Sequence, residues 1–191
     1  SDSTSISSDV KDIKITIPRG HKYKLRLSDG SMVWLNEETV FEYPESFTTG
    51  ERQVTLTGEA YFDISRDEDC PFRVMTTDNI DVEVMGTQFN VTSYTDMVSG
   101  RVTLTEGSVA VNSQSGHLRL EPGQQAVIDR ETGNMSVEEV DTAGYMEWIY
   151  GMFNFEHMPL ADVIKQIEQW YGIALDYDAD AVSGFGTVTF H

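Results

Sequence analysis

Short runs of alternating apolar and polar residues, separated by turn residues, are the feature that most constrains the fold of this chain. The run Tyr23–Leu27 is followed by the polar residues Ser28–Ser31 and then by a second run, Met32–Leu35. An Asp-Gly pair between two such runs is a strong hairpin signal, because both residues tolerate a positive φ. The segment from Tyr23 to Leu35 is therefore predicted to be a β-hairpin.

The same pattern continues along the chain to about Val140. Gly, Pro, Asn and Asp punctuate it at short intervals, which is typical of a sandwich, a barrel or a β-solenoid. We therefore predict a mainly β chain, in which a many-stranded sandwich or β-solenoid-like domain spans residues 13–140 after a polar linker at residues 1–12. The other predicted strands are Lys14–Ile17, Gln53–Thr57, Ala60–Ile64, Phe72–Met75, Ile80–Met85, Gln88–Val91, Arg101–Thr105, Ser108–Val111, His117–Leu120 and Gln125–Ile128.

Two segments of this domain resemble each other. Residues 54–62 read Val-Thr-Leu-Thr-Gly-Glu-Ala-Tyr-Phe, and residues 102–110 read Val-Thr-Leu-Thr-Glu-Gly-Ser-Val-Ala. Each is interpreted as a strand, a tight turn and a second strand, which a repeated unit would produce. Chance similarity among β-rich segments is an alternative explanation.

The pattern changes near Asp141. Residues 147–155 indicate a connector and a strand, Pro159 suits the first position of a helix, and further strands are predicted at residues 173–177 and 186–190. We predict a small α+β module of β-α-β-β order at residues 141–191. Five apolar residues fall on one face of the predicted helix at helical spacing: Leu160, Val163, Ile164, Ile167 and Tyr171.

The charge of the chain argues against two kinds of partner, nucleic acids and anionic membrane surfaces. It has 13 Lys and Arg residues against 32 Asp and Glu residues, a net charge of −19. Nucleic acid binding requires basic residues that neutralise phosphates, and an anionic membrane surface would repel this chain. The sequence contains no apolar run of about 18 residues, which is the length that a membrane-spanning helix requires.

No motif for catalysis or metal binding stands out. The four histidines are scattered, without the short spacing of a zinc site, and Asp176–Asp180 lacks the Gly and Glu that an EF-hand loop would need next. Neither a Gly-x-Ser-x-Gly elbow nor a phosphate-binding glycine loop is present. We predict no catalytic, cofactor-binding or metal-binding residues and no enzyme activity.

A role in sugar binding or sugar cleavage is not excluded by the sequence, because such sites need few special residues. All-β folds host sugar-binding and sugar-cleaving sites, and a glycosidase needs two placed carboxylates. The aromatic residues Trp34, Tyr43, Tyr61 and Tyr94 could line a groove, although aromatics in strands are more often core residues. The alternatives are a carbohydrate-binding or adhesin-like β-sandwich module and a glycoside hydrolase.

A series of motifs resembles the FecR family of anti-sigma regulators, in family order and spacing over roughly residues 15–130. The later stretch from Trp148 to Leu175 resembles the domain that follows in Bacteroidetes members of the family. The motifs that carry the first resemblance are Leu27–Asn36, Phe41–Phe47, Arg52–Ile64, Pro71–Val74, Val82–Val91, Leu104–Val109 and Leu120–Ala126.

The resemblance implies a role in signalling. FecR-type proteins cross the inner membrane once, hold a sigma factor through a short cytoplasmic part, and receive a signal in the periplasm from a TonB-dependent outer-membrane transporter. The chain is then expected to be the periplasmic part, without the sigma-binding segment and without the upstream membrane helix. In relatives the C-terminal domain resembles the transporter's own signalling domain, built from two β-α-β units, of which this sequence contains about one.

The partner-binding surface is predicted from that C-terminal module. A single β-α-β unit leaves an open sheet edge and part of an apolar helix face, and open edges are templates for strand addition by a partner. We expect the module to bind the N-terminal signalling domain of the transporter; the alternative is that its helix packs on the β-domain. The predicted contact residues are Phe153, Phe155, Val163, Ile167, Trp170, Val188 and Phe190.

Overall fold

The computed structural model describes residues 11–47, 50–77, 79–142, 149, 155–161, 163, 164 and 187–190. Strands dominate these residues, in agreement with the predicted mainly β fold. In chain order the strands are β1 Asp12–Thr16, β2 Tyr23–Arg26, β3 Met32–Leu35, β4 Val40–Pro44, β5 Arg52–Asp63, β6 Phe72–Thr76, β7 Asp81–Val84, β8 Gln88–Ser93, β9 Ser99–Glu106, β10 Val109–Ser113, β11 Gly116–Leu120, β12 Gln124–Asp129, β13 Met135–Glu139, β14 Phe155–Pro159 and β15 Thr187–Phe190.

The first thirteen strands form one hydrogen-bonded network that divides into two sheets. Sheet A has the order β1-β4-β5-β6-β7-β10-β11. Sheet B has the order β2-β3-β5-β8-β9-β12-β13. Both sheets include β5, so this strand joins them. Among the described strands only β5 and β6 pair in parallel, which favours the sandwich over the coil of a β-solenoid.

The strand β5 corrects one prediction. Residues 53–57 and 60–64 were expected to be two strands with a turn at Gly58, but Arg52–Asp63 is one strand of 12 residues. Its first half pairs with β4 and β6, and its second half pairs with β3 and β8. Gly58 lies where the strand passes from sheet A to sheet B, with φ +115°. The glycine therefore marks a bend within a strand.

The sequence similarity between residues 54–62 and 102–110 has a structural counterpart. The second segment includes the end of β9 in sheet B and the start of β10 in sheet A, joined through Gly107 with φ +96°. Each of the two segments thus carries the chain from one sheet to the other at a glycine with positive φ.

The hydrophobic core lies between the two sheets and draws on both of them. The ring of Phe62 in sheet B lies 6.2 Å from that of Phe41 and 6.3 Å from that of Phe72, both in sheet A, and it stacks on Phe89 at 4.9 Å. These four side chains are fully buried. Burial of aromatic rings from both layers is a large part of what holds the sandwich closed.

Only the start and the end of the predicted C-terminal module lie within the described residues. The strands β14 and β15 form a separate antiparallel pair, with Phe155 opposite Phe190. Residues 160, 161, 163 and 164 are helical, so the predicted helix begins directly after Pro159. The full β-α-β-β order, like the domain boundaries, stays a prediction. Among the described residues there is no helix of the length and apolarity required to cross a membrane.

Candidate functional site

The structure describes four of the seven predicted partner-binding residues. Phe155 lies in β14, and Val188 and Phe190 lie in β15, so the backbone brings these three into one two-stranded sheet. Val163 is helical and only 3% exposed, so its side chain is covered within the protein. Phe153, Ile167 and Trp170 lie outside the described residues.

The Asp-Gly turn after β2 contributes to a buried polar network. The Asp29 carboxylate accepts hydrogen bonds from the Ser31 hydroxyl at 2.7 Å and from the Arg52 guanidinium at 2.8 Å. The same guanidinium donates to the carbonyls of Ser65 and Cys70, both at 2.9 Å. Arg52 is 3% exposed. This network ties the β2–β3 turn to the start of β5, so the turn is structural.

A second polar network lies on the other side of the Gly58 bend. The Glu59 carboxylate accepts hydrogen bonds from the Asn36 amide at 2.7 Å, the Asn90 amide at 3.0 Å and the Thr92 hydroxyl at 3.1 Å. The backbone N–H of Asn36 also donates to the Glu59 carbonyl at 2.9 Å. These contacts fix the ends of β3 and β8 against β5.

A wide cleft of about 1,060 Å³ lies beside this second network. Residues of β5, β8, β9, β12 and β13 line it together with the loops that follow β3 and β8. Among the described lining residues six are acidic, and Arg101 is the one Lys or Arg side chain. The acidic lining residues are Glu37, Glu38, Glu59, Asp96, Glu138 and Asp141. The acidic residues of the cleft are spread over some 100 positions of sequence, which is why no spacing in the sequence indicated the cleft.

Two ionisable groups near the cleft have shifted pKa values. Burial raises the pKa of Tyr94, and the charges of Glu59 and Glu37 add to this effect; its hydroxyl donates to the Glu37 carbonyl at 2.9 Å. Burial lowers the pKa of Lys22, although Glu59 and Glu37 oppose this shift. The Glu59 carboxylate and the Tyr94 hydroxyl stabilise the structure here, since both are hydrogen-bonded to neighbouring groups.

The candidate metal ligands and sugar-binding aromatics can be located in the described part of the chain. No group of three or more His, Cys, Asp or Glu side chains that could hold a metal ion occurs in the described part of the chain. The four aromatics considered for a sugar groove do not share one. Tyr61 is buried, Tyr43 packs on Phe41 at 5.4 Å, Tyr94 lines the large cleft, and Trp34 lines a separate small cavity.

Comparison with known proteins gives consistent matches. Residues 13–110, which are 98 of the 191 residues, match the family described as FecR protein. Two crystal structures of a candidate anti-sigma factor from Parabacteroides distasonis ATCC 8503 are similar to this chain. The structure at 2.50 Å resolution is 33% identical with a TM-score of 0.73, over 85% of this chain and 76% of that one. The structure at 1.65 Å resolution is also 33% identical, with a TM-score of 0.72 over 84% and 75%. None of the curated proteins matches the chain.

Proposed function

The chain belongs to the FecR protein family of anti-sigma regulators, and from this membership we propose that it is the periplasmic sensor and relay region of a transmembrane anti-sigma factor. A regulatory role follows from the family itself. The finer proposal is that the region receives its signal by direct contact with a TonB-dependent outer-membrane transporter. The sigma factor would be held by a cytoplasmic segment outside residues 1–191.

The observation that carries this proposal is that polar residues of the family motifs form structural hydrogen-bond networks. Asp29, Arg52, Asn36, Glu59 and Asn90 all lie in those motifs, and they belong to the two polar networks before and after the Gly58 bend of β5. Most of their polar groups are hydrogen-bonded to neighbouring strands and turns of the same domain. Such residues support a shared scaffold that presents a contact surface, rather than a site that turns over a substrate.

The proposed contact surface is the C-terminal unit that contains β14 and β15. Among the described strands each of these two pairs along one edge only, and strand addition to a sheet edge is a common mode of protein recognition. Phe155, Val188 and Phe190 share this pair. The covered position of Val163 favours the strands over the helix as the part that meets the transporter.

The test is a calorimetric titration of the 191-residue chain with the isolated N-terminal signalling domain of a TonB-dependent transporter from the same organism. We expect saturable binding, and we expect Val188→Asp to weaken it at least tenfold. Val98→Asp is the matched control, because Val98 is 85% exposed on the β-domain and far from β15 in sequence. The absence of binding by the folded wild-type chain would contradict the transporter contact, and equal losses in both variants would place the contact elsewhere.

A further inference from the structure

The two edges of sheet B carry opposite charges. The edge strand β2 has Lys24 and Arg26 exposed, and the opposite edge strand β13 has Glu138 and Glu139 exposed. The basic edge is unusual in this protein, because residues 11–26 contain six of the 13 Lys and Arg residues and one of the 32 acidic residues. Among the described strands, β2 pairs only with β3 and β13 only with β12.

The pairing register of sheet B connects these edges in two neighbouring rows. One row begins at Lys24 on β2 and ends at Glu138 on β13. It lies on the face turned away from the hydrophobic core, here called the outer face, although Tyr61, Asn90, Thr103 and Gln125 within it are also buried. Between these ends it passes through direct pairing partners on each strand: Trp34, Tyr61, Asn90, Thr103 and Gln125.

The adjacent row on the core face ends in two exposed apolar residues. It begins at Tyr23, passes through Leu35, Ala60, Val91, Val102 and Ala126, and ends at Val137. Its interior is buried, whereas Tyr23 is 53% and Val137 is 47% exposed. A further strand paired with β2 or with β13 could therefore continue both rows.

We propose that sheet B continues from one copy of this protein to the next, with β13 of one copy pairing with β2 of its neighbour. Six successive antiparallel pairings separate the two strands, so β2 and β13 run in the same direction, and the new pair is parallel. In register, this pairing places Glu138 beside Lys24 of the partner subunit on the outer face. It also places Val137 beside Tyr23 of the partner subunit on the core face.

The charges select this arrangement over a symmetric dimer. Pairing β2 with β2 would bring lysine and arginine rows together, and pairing β13 with β13 would bring glutamates together, both of which are unfavourable across strands. The pairing of β13 with β2 is heterologous, so it leaves one free edge at each end and can repeat. A single strand pair is a small interface, so we expect weak, concentration-dependent association.

Sedimentation velocity of the full chain tests this proposal. Between 10 µM and 1 mM at low salt, we expect species that grow beyond dimers, and we expect high salt to weaken them. K24E alone and E138K alone should each weaken association about fivefold or more, because each sets like charges opposite one another. K24E/E138K in one chain, or an equal mixture of the two single variants, should restore it.

The control variant is K14E, on the edge strand β1 of sheet A, where the Lys14 side chain is 64% exposed. It should leave association unchanged. Hydrogen exchange gives a second readout, since amides of β2 and β13 should become protected as concentration rises while those of β1 and β11 do not. A chain that stays monomeric at 1 mM would overturn the proposal. That is the result expected if later residues of the same chain already occupied the β2 edge. Failure of the charge exchange to restore association would overturn it too. Neither result bears on binding of the transporter.

Discussion

Asp29 and Arg52 are oppositely charged residues held almost entirely out of water. The exposed fractions of their side chains are 13% and 3%, and Arg52 also lies over the Phe72 ring at 5.5 Å. Removing one partner of such a pair leaves a buried charge without compensation, which is more costly than losing the pair. The Asp-Gly turn was predicted from the sequence, but its role as an acceptor for Arg52 was not, because 23 positions separate the two residues.

We therefore expect Asp29→Ala to lower the free energy of unfolding by about 3–5 kcal/mol, measured by urea denaturation. Arg66→Ala is the control, because the Arg66–Glu68 pair is exposed at 79% and 69%, and its loss should stay within about 0.5 kcal/mol. If Asp29→Ala lowered the free energy of unfolding as little as Arg66→Ala does, the buried network would add nothing to stability.

Tyr94 provides a prediction about alkaline pH. Its pKa is raised in the folded protein above the usual 10.0, so the unfolded chain loses this proton first as pH rises. The contribution of Tyr94 to stability is fully present below pH 10 and is lost above it. We expect the wild type to lose stability more steeply than Tyr94→Phe above about pH 10, measured by urea denaturation at several pH values. Parallel curves for the two proteins would contradict the burial of this hydroxyl.

The strands show where sequence patterns succeed and where they fail. The Tyr23–Leu35 hairpin was predicted closely, because alternation and a turn are local properties. The Gly58 bend was not, because a glycine between two alternating runs looks the same in a turn as in a strand that changes sheets. Only the close approach of Thr39, 19 positions earlier in the chain, distinguishes the two. The acidic cleft was not predicted either, because its lining residues are also far apart in the sequence.

The bend in β5 can be tested with one methyl group. A Cβ atom at Gly58 would lie 2.7 Å from the Thr39 Cα, whereas one at Gly50 would have no neighbour within 4 Å. Both glycines have positive φ, at +115° and +68°, so both alanine variants carry backbone strain. We expect Gly50→Ala to cost about 1 kcal/mol and Gly58→Ala to cost about 3 kcal/mol or more in thermal or urea unfolding. Similar costs would indicate that the two sheets can separate at this point.

At the scale of the whole molecule, the β-domain contains its own core. The buried cluster between the sheets runs from Ile17 to Ile128, and Met135 packs against it. A domain with a complete core can fold alone. The boundary near residue 140 stays a prediction. Ile149, beyond it, lines a small cavity with Trp34 and Lys24.

A chain shortened to residues 11–142 tests whether the β-domain folds alone and whether the C-terminal unit is needed for transporter binding. We expect it to unfold in one cooperative transition, because its core is intact, and to show the near-ultraviolet circular dichroism of packed aromatics. It should fail to bind the transporter's signalling domain, because β14 and β15 are gone, while the association through β2 and β13 should persist. Loss of cooperative unfolding would show that the two parts form one domain. Retained transporter binding would move the contact surface to the β-domain, where the acidic cleft is one candidate.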